Sequence, residues 1–108
     1  MNPLPHPIAN YVEAANAQSP QRIAACFTLG ATVFDEGHAR HGRAEIEAWA
    51  RDATTRYGST IEPAALTESG GRHTLRAAVR GSFPGSPITL NFHFALQSEG
   101  IQSLEITP

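Results

Sequence analysis

The apolar residues of this chain change their spacing near residue 58. Before that point they recur every three or four positions, which is typical of amphipathic helices, over the segments 7–17, 20–27 and 43–57. After it they alternate with polar or small residues, most clearly from Ile88 to Leu96. Helices followed by a strand meander predict an α+β fold, in which the helices pack on one face of an antiparallel sheet.

Residues that favour helix starts, helix ends and turns set the predicted boundaries of the helices and strands. Pro7 and Pro20 suit the first turn of a helix, Ser19 suits an N-cap, and Gly58 suits a C-terminal stop. Gly30 is expected to end the second helix, and a turn is expected at 98–100. The predicted strands are 31–35, 39–41, 61–68, 75–80, 88–96 and 101–107.

Length and composition restrict the function classes. A chain of 108 residues is expected to form one domain, 1–108. A net charge of −2, with the eight basic residues scattered, disfavours binding to nucleic acid or a membrane surface. The lone Cys26 excludes an internal disulfide, and no leader-like segment opens the sequence, so a cytoplasmic location is expected.

The segment ATVFDEGHARHGRAEIEAW, residues 31–49, carries the strongest chemical signal. Strand alternation puts Asp35 on the opposite face from Glu36, so the two acids are expected to diverge. In an apolar pocket, Asp35 would have a raised pKa and could act as a general base. The alternative is a carboxylate that accepts backbone hydrogen bonds in a turn. His38 and His41 match no recognised zinc spacing, so no metal site is expected, and they are placed at a pocket mouth or in solvent.

Aromatic residues are the other candidates. Tyr11 lies on the apolar face of the first helix, where its hydroxyl needs a partner, either a ligand or a backbone carbonyl. Other side chains are expected to line a pocket for a small apolar or aromatic ligand, although helical or strand spacing equally suits a plain core. The pocket-lining candidates are Phe34, Trp49, Tyr57, Phe92, Phe94 and, at the mouth, His38.

Four polar residues of the strands are interpreted as structural. His73 follows a glycine pair at a hairpin and is expected to be exposed, whereas His93 faces outward and suits a dimer interface. Arg76 and Arg80 are expected to pair with Glu62 or Glu68 across the sheet.

Three segments together resemble the nuclear transport factor 2-like superfamily, in its ketosteroid isomerase and polyketide cyclase-like branch. They are YVEAANAQSPQRIAACFTLGATVFDEG, HGRAEIEAW and FHFALQSEGIQSLEI. The resemblance implies a cone-shaped fold, in which a curved antiparallel sheet wraps around three helices and leaves an apolar pocket. It also implies a homodimer formed through the outer sheet face.

The resemblance further implies roles for single residues. Tyr11 falls where the isomerases keep an oxyanion-binding tyrosine, and Asp35 where they keep the aspartate that moves a proton. Their second acid, an aspartic acid held neutral in an apolar site, is replaced by Phe92, which disfavours steroid isomerisation. The predicted function is therefore a cofactor-independent isomerase, cyclase or lyase with no metal. The alternatives are a non-catalytic small-molecule binding module and a dimeric interaction domain.

Overall fold

A computed structural model describes residues 4–98 and 100–108. In this part of the chain, three helices and six strands follow one another in the predicted order. They are α1 (His6–Asn16), α2 (Pro20–Ala25), β1 (Phe27–Asp35), β2 (His38–His41), α3 (Gly42–Tyr57), β3 (Thr60–Ser69), β4 (Arg72–Arg80), β5 (Ile88–Gln97) and β6 (Gly100–Thr107).

The second helix and the first strand depart from prediction. Helix α2 ends at Ala25, and β1 begins at Phe27, four residues earlier than expected. Gly30 therefore lies inside a strand and does not end a helix. The reason is tertiary: Phe27 pairs with Ile101 of β6, and the register of that pair shifts between Phe27 and Thr32. The predicted turn at 98–100 includes Glu99, which lies outside the described residues.

The predicted helix boundaries follow local chemistry. The Ser19 hydroxyl accepts a hydrogen bond from the backbone N–H of Arg22 at 3.2 Å, which caps α2. At the start of α3, the Glu45 carboxylate accepts from the backbone N–H of His41 at 2.9 Å. Gly58 ends α3 in the left-handed conformation, with φ of 55°, as the stop signal predicted.

The sheet is curved, unclosed and six-stranded, in the order β2-β1-β6-β5-β4-β3. Strands β3 to β6 form the predicted antiparallel meander, whereas β1 joins it through a parallel pairing with β6. The core lies between the inner face of this sheet and the helices. Its largest fully buried side chains are Phe27, Phe94, Ile8, Ile46, Leu75, Ile101, Leu104 and Val33.

Two histidines occupy opposite faces of the sheet. His93 lies on the outer face, where its ring nitrogens contact the hydroxyls of Thr74 at 3.1 Å and Thr107 at 2.9 Å. His73 shares the inner face with Leu75, and its side chain is only 16% exposed, so the prediction of an exposed His73 was wrong. Its Nε2 lies 3.7 Å from a carboxylate oxygen of Glu68, one of the two acids expected to pair with Arg76 or Arg80.

None of the helices within 4–98 and 100–108 is long and apolar enough to cross a membrane.

Candidate active site

A cavity of about 390 Å³ lies between the inner sheet face and helices α1, α2 and α3. Its wall is mainly apolar, and the polar side chains that reach it are few, so any ligand carbonyl or carboxyl inside has a small choice of partners. The main apolar contributors are Ile23, Ile61, Val79, Leu90, Phe92 and Ile106.

A tight hairpin places Asp35 in this wall. Asp35 pairs with His38 across a turn in which Glu36 and Gly37 have φ of 53° and 77°. Two consecutive residues with positive φ are the mark of a two-residue hairpin turn, which reverses β1 directly after Asp35. The acid therefore remains part of the strand, on the inward face that Val33 shares.

The environment of Asp35 favours its protonated form. Burial raises the pKa of the Asp35 carboxyl above its ordinary value, and the negative charge of Glu36 adds to that rise. The indole N–H of Trp49, which donates to Oδ2 of Asp35 at 3.0 Å, opposes the rise, as does the cation of Arg40. A carboxylate with a raised pKa, at an apolar cavity, is suited to accept and return a proton.

Tyr11 approaches the same cavity from α1. Its ring is 4% exposed and meets Phe27 and Phe94 edge-on, with centroids 6.1 and 5.6 Å apart. Burial, and then the charge of Asp35, raise the pKa of the Tyr11 hydroxyl well above its ordinary value, so the group remains a neutral donor. Among the described residues this hydroxyl makes no hydrogen bond, and Tyr11 lies in the cavity wall.

Part of the cavity wall is formed by the segment that joins β4 to β5. The loop GSFPGSP contributes Phe83 and Pro84, and Ile88 follows from the start of β5. The rings of Phe83 and Tyr57 meet edge-on, with centroids 5.9 Å apart. In the sequence, the apolar pair Phe83-Pro84 within an otherwise polar turn was the feature that could have indicated this contribution to the wall.

Three of the predicted pocket residues do not line this cavity. Phe34 points to the outer sheet face and is 46% exposed, because it alternates with Val33 and Asp35. Phe94 is fully buried beneath Tyr11 and belongs to the core. His38 is exposed and borders a separate depression. Trp49, Tyr57 and Phe92 do lie in the cavity wall, together with Asp35 and Tyr11.

Glu36 departs from its expected position as well. The strand ends at Asp35, and the positive φ of Glu36 breaks the alternation that would have sent the two acids apart. Glu36 therefore borders the cavity rim and also the neighbouring polar depression, where it joins His38, Arg40, Asp52 and Arg56. No three His, Cys, Asp or Glu side chains of residues 4–98 and 100–108 are arranged to hold a metal ion.

A curved sheet, a helix layer and an apolar cavity together define a cone-fold protein of the nuclear transport factor 2-like superfamily. Within that superfamily, the chain belongs to the SnoaL-like domain family, whose model matches residues 8–100. None of the curated proteins matches the sequence.

Solved structures share this fold. A candidate polyketide cyclase from Sinorhizobium meliloti is 33% identical over 96% of this chain and 95% of its own, with a TM-score of 0.91. The epoxide hydrolase/cyclase-like enzyme SalBIII, which has a role in pyran ring formation in the polyether salinomycin, is 26% identical over 94% and 86%, with a TM-score of 0.80. A Catenulispora acidiphila protein with a ketosteroid isomerase-like fold, in complex with trimethylamine, is 18% identical over 98% and 87%, with a TM-score of 0.86.

Proposed function

We propose that this protein is a cofactor-independent isomerase, cyclase or lyase that moves a proton next to a carbonyl group of a small apolar ligand. The observation that carries the proposal is the presence of Asp35 and Tyr11 in the wall of one apolar cavity. One is a carboxylate of raised pKa and the other a neutral hydroxyl, so the pair supplies a base and an oxyanion donor.

In this mechanism Asp35 removes a proton from the carbon beside the carbonyl. The electron pair of the broken C–H bond moves onto the carbonyl oxygen, and the Tyr11 hydroxyl stabilises the developing negative charge. The protonated Asp35 then returns its proton to another atom of the ligand, which completes an isomerisation or follows a ring closure. Apolar walls exclude water and retain the intermediate until the second transfer.

Phe92 limits the chemistry that this pair can perform. It stands at the position where the resemblance placed a second acid, and its ring lies 6.3 Å from the Tyr11 ring, centroid to centroid. Without that acid, Tyr11 is the one residue to which the resemblance gives an oxyanion-binding role, which favours substrates whose C–H bond is already acidic. A carbon between two carbonyl groups meets that requirement. The similarity to a candidate polyketide cyclase supports a cyclase substrate over a steroid.

Proton exchange at carbon tests the proposal without knowledge of the natural substrate. Acyclic 1,3-diketones and aromatic β-keto esters would be mixed with the protein in D2O, and loss of the C–H signal would be followed by NMR against the rate without protein. We expect wild-type protein to accelerate exchange of at least one compound, and Asp35→Asn to abolish the acceleration. Tyr11→Phe should reduce it by about 10²-fold, the scale of losing one oxyanion donor.

The matched control is Asp52→Asn, which removes a carboxylate from the exposed side of α3, where it pairs with Arg56 at 3.1 Å. That variant should retain wild-type exchange. If wild type and Asp35→Asn accelerate exchange equally for every compound, or neither does, the enzymatic proposal fails.

A second function, small-molecule binding without chemistry, is favoured by Phe92 itself. An apolar side chain in the cavity wall adds contact area for a ligand where an acid would add a donor. Fluorescence of Trp49, which lines the cavity, reports on occupancy. If the protein is a binding module, the wild type and Asp35→Asn should bind apolar ketones equally well. Neither should accelerate proton exchange.

We also propose that the outer sheet face forms a homodimer. This face bears Phe34, 46% exposed, and the network of His93, Thr74 and Thr107. Light scattering after size-exclusion chromatography should give twice the monomer mass for the wild type. Phe34→Glu should have the mass of the monomer. A monomeric wild type at micromolar concentration would contradict this proposal.

A further inference from the structure

We propose that Trp49 is a positioning residue, which fixes the orientation of the Asp35 carboxylate within the cavity. This inference rests on the proposed function of Asp35. It deepens that function by assigning the group that determines where the carboxylate oxygens lie when the ligand is bound.

The contact between the two side chains is direct. The indole Nε1–H of Trp49, on α3, donates to Oδ2 of Asp35, at the end of β1, over 3.0 Å. An indole has one donor and no acceptor, so this bond uses its whole hydrogen-bonding capacity. A neutral donor to a carboxylate gives a charge-assisted bond, which is stronger than one between neutral groups. Rotation of the carboxylate about its Cβ–Cγ bond therefore breaks the hydrogen bond from Trp49.

The position of the Trp49 ring strengthens this interaction. Trp49 lines both the main cavity and the depression of Glu36, His38, Arg40, Asp52 and Arg56. It therefore separates the Asp35 carboxylate from a charged and solvent-exposed surface. Low local polarity makes the bond to Oδ2 both stronger and more costly to lose.

The backbone of Asp35 is held from the other side. The Arg40 guanidinium donates to the carbonyl oxygen of Asp35 at 2.7 Å and to that of His38 at 3.3 Å. Arg40 thus fixes the main chain of the hairpin, while Trp49 fixes the side chain. The charged or titratable groups that act on Asp35 are Glu36, Arg40 and Tyr11.

The test uses the fact that the chain has one tryptophan. In a ¹⁵N-labelled protein, the single indole N–H resonance would be followed from pH 3 to 8, alongside the Asp35 carboxyl carbon. We expect the two to titrate with one midpoint, and the indole step to vanish in Asp35→Asn. An indole resonance that stays constant while Asp35 titrates would overturn the proposal, and this result needs no tryptophan variant.

Trp49→Phe provides the second measurement. It keeps an aromatic wall but removes the N–H, and since that donor lowers the Asp35 pKa, the Asp35 midpoint should move upward. Tyr57→Phe is the control, because it removes a polar group from a neighbouring wall residue and should leave the midpoint in place. A Trp49→Phe midpoint equal to that of wild type would also refute the role.

The proposed function and this inference fail in different ways. If ketone exchange is absent but the indole and carboxyl titrate together, Trp49 positions a carboxylate that performs no proton transfer. If exchange occurs and the indole signal is constant with pH, Asp35 acts as a base without Trp49.

Discussion

Asn16 pairs with the backbone of Ile61 as a neighbouring strand would. Its side-chain amide donates to the Ile61 carbonyl oxygen at 3.0 Å, and its Oδ1 accepts from the Ile61 N–H at 2.6 Å. Through this pair the end of α1, the helix that carries Tyr11, is fixed to the edge strand β3. Ile61 also lines the cavity, so the pair sets the separation between two of its walls.

Asn16→Ala is expected to lower the free energy of unfolding by about 1–3 kcal/mol, since two hydrogen bonds of roughly 0.5–1.5 kcal/mol each are lost. Urea unfolding followed by Trp49 fluorescence measures the change. Asn10→Ala, on the exposed side of the same helix, is the control and should cost less than about 0.5 kcal/mol. Equal losses in the two variants would show that the pair contributes nothing beyond helix propensity.

Asp35→Asn is expected to stabilise the protein at pH 7. Because the folded state raises the Asp35 pKa, it favours the protonated carboxyl. Asp35 therefore stabilises the folded state fully below its unfolded pKa, about 3.9. This stabilisation is lost as the pH rises through the folded pKa. Asparagine remains neutral throughout, so the stability difference between variant and wild type should close as the pH falls below about 4.

Melting temperatures at pH 3.5, 5 and 7 measure this dependence, and Asp52→Asn at the exposed end of α3 is the control. That variant should differ from wild type by less than about 1 kcal/mol, because its ion pair is on the surface. A constant difference between Asp35→Asn and wild type across the pH range would mean that Asp35 is not in a raised-pKa environment.

Phe92→Ala is expected to cost about 3–5 kcal/mol, because it removes a buried ring and enlarges the cavity. Phe92 is 3% exposed, whereas Phe34 is 46% exposed on the outer face. In dilute, monomeric protein, where the proposed dimer interface is exposed, Phe34→Ala should therefore cost about 1 kcal/mol or less. Urea unfolding of the two variants at one protein concentration makes the comparison, and similar losses would contradict the assignment of the two faces.

Gly81→Ala is expected to destabilise the loop between β4 and β5, which contributes Phe83 and Pro84 to the cavity wall. A Cβ at Gly81 would lie 2.9 Å from the Tyr57 carbonyl oxygen and 3.0 Å from the Phe83 ring, so the chain must shift, at a cost of about 1–3 kcal/mol. Gly30→Ala is the control, since no atom lies within 4 Å of its Cβ position. Urea unfolding should give a lower free energy of unfolding for Gly81→Ala than for Gly30→Ala. If Gly81→Ala is as stable as the wild type, the loop adapts to the added Cβ without cost.

The fold could be predicted from the sequence because its signals are local. Helical spacing, Ser19, Gly58 and the alternation in β4 and β5 depend on neighbours a few residues away, and each gave the observed element. The early start of β1 could not be predicted in this way. It depends on Phe27 meeting Ile101, which is 74 positions further along the chain.

The candidate site was predictable where side-chain direction follows the strand. Asp35 and Phe92 face the cavity as alternation requires. The prediction that Phe34 lines the pocket was wrong by the same rule, since Phe34 alternates with Asp35. The prediction that Glu36 points away from Asp35 was wrong because a positive φ at Glu36 ends the strand alternation. The bond between Trp49 and Asp35 joins a helix to a strand, and no spacing in the sequence specifies it.

The position of β6 between β1 and β5 has a consequence for synthesis. The hairpin that carries Asp35 joins the meander only through β6, which is the last strand along the chain. Until residues 100–107 have left the ribosome, β1 has no strand through which to join β5, and the wall formed by β4 and β5 is not held beside Asp35. A nascent chain stalled before β6 is therefore expected to bind ligand more weakly than the folded protein.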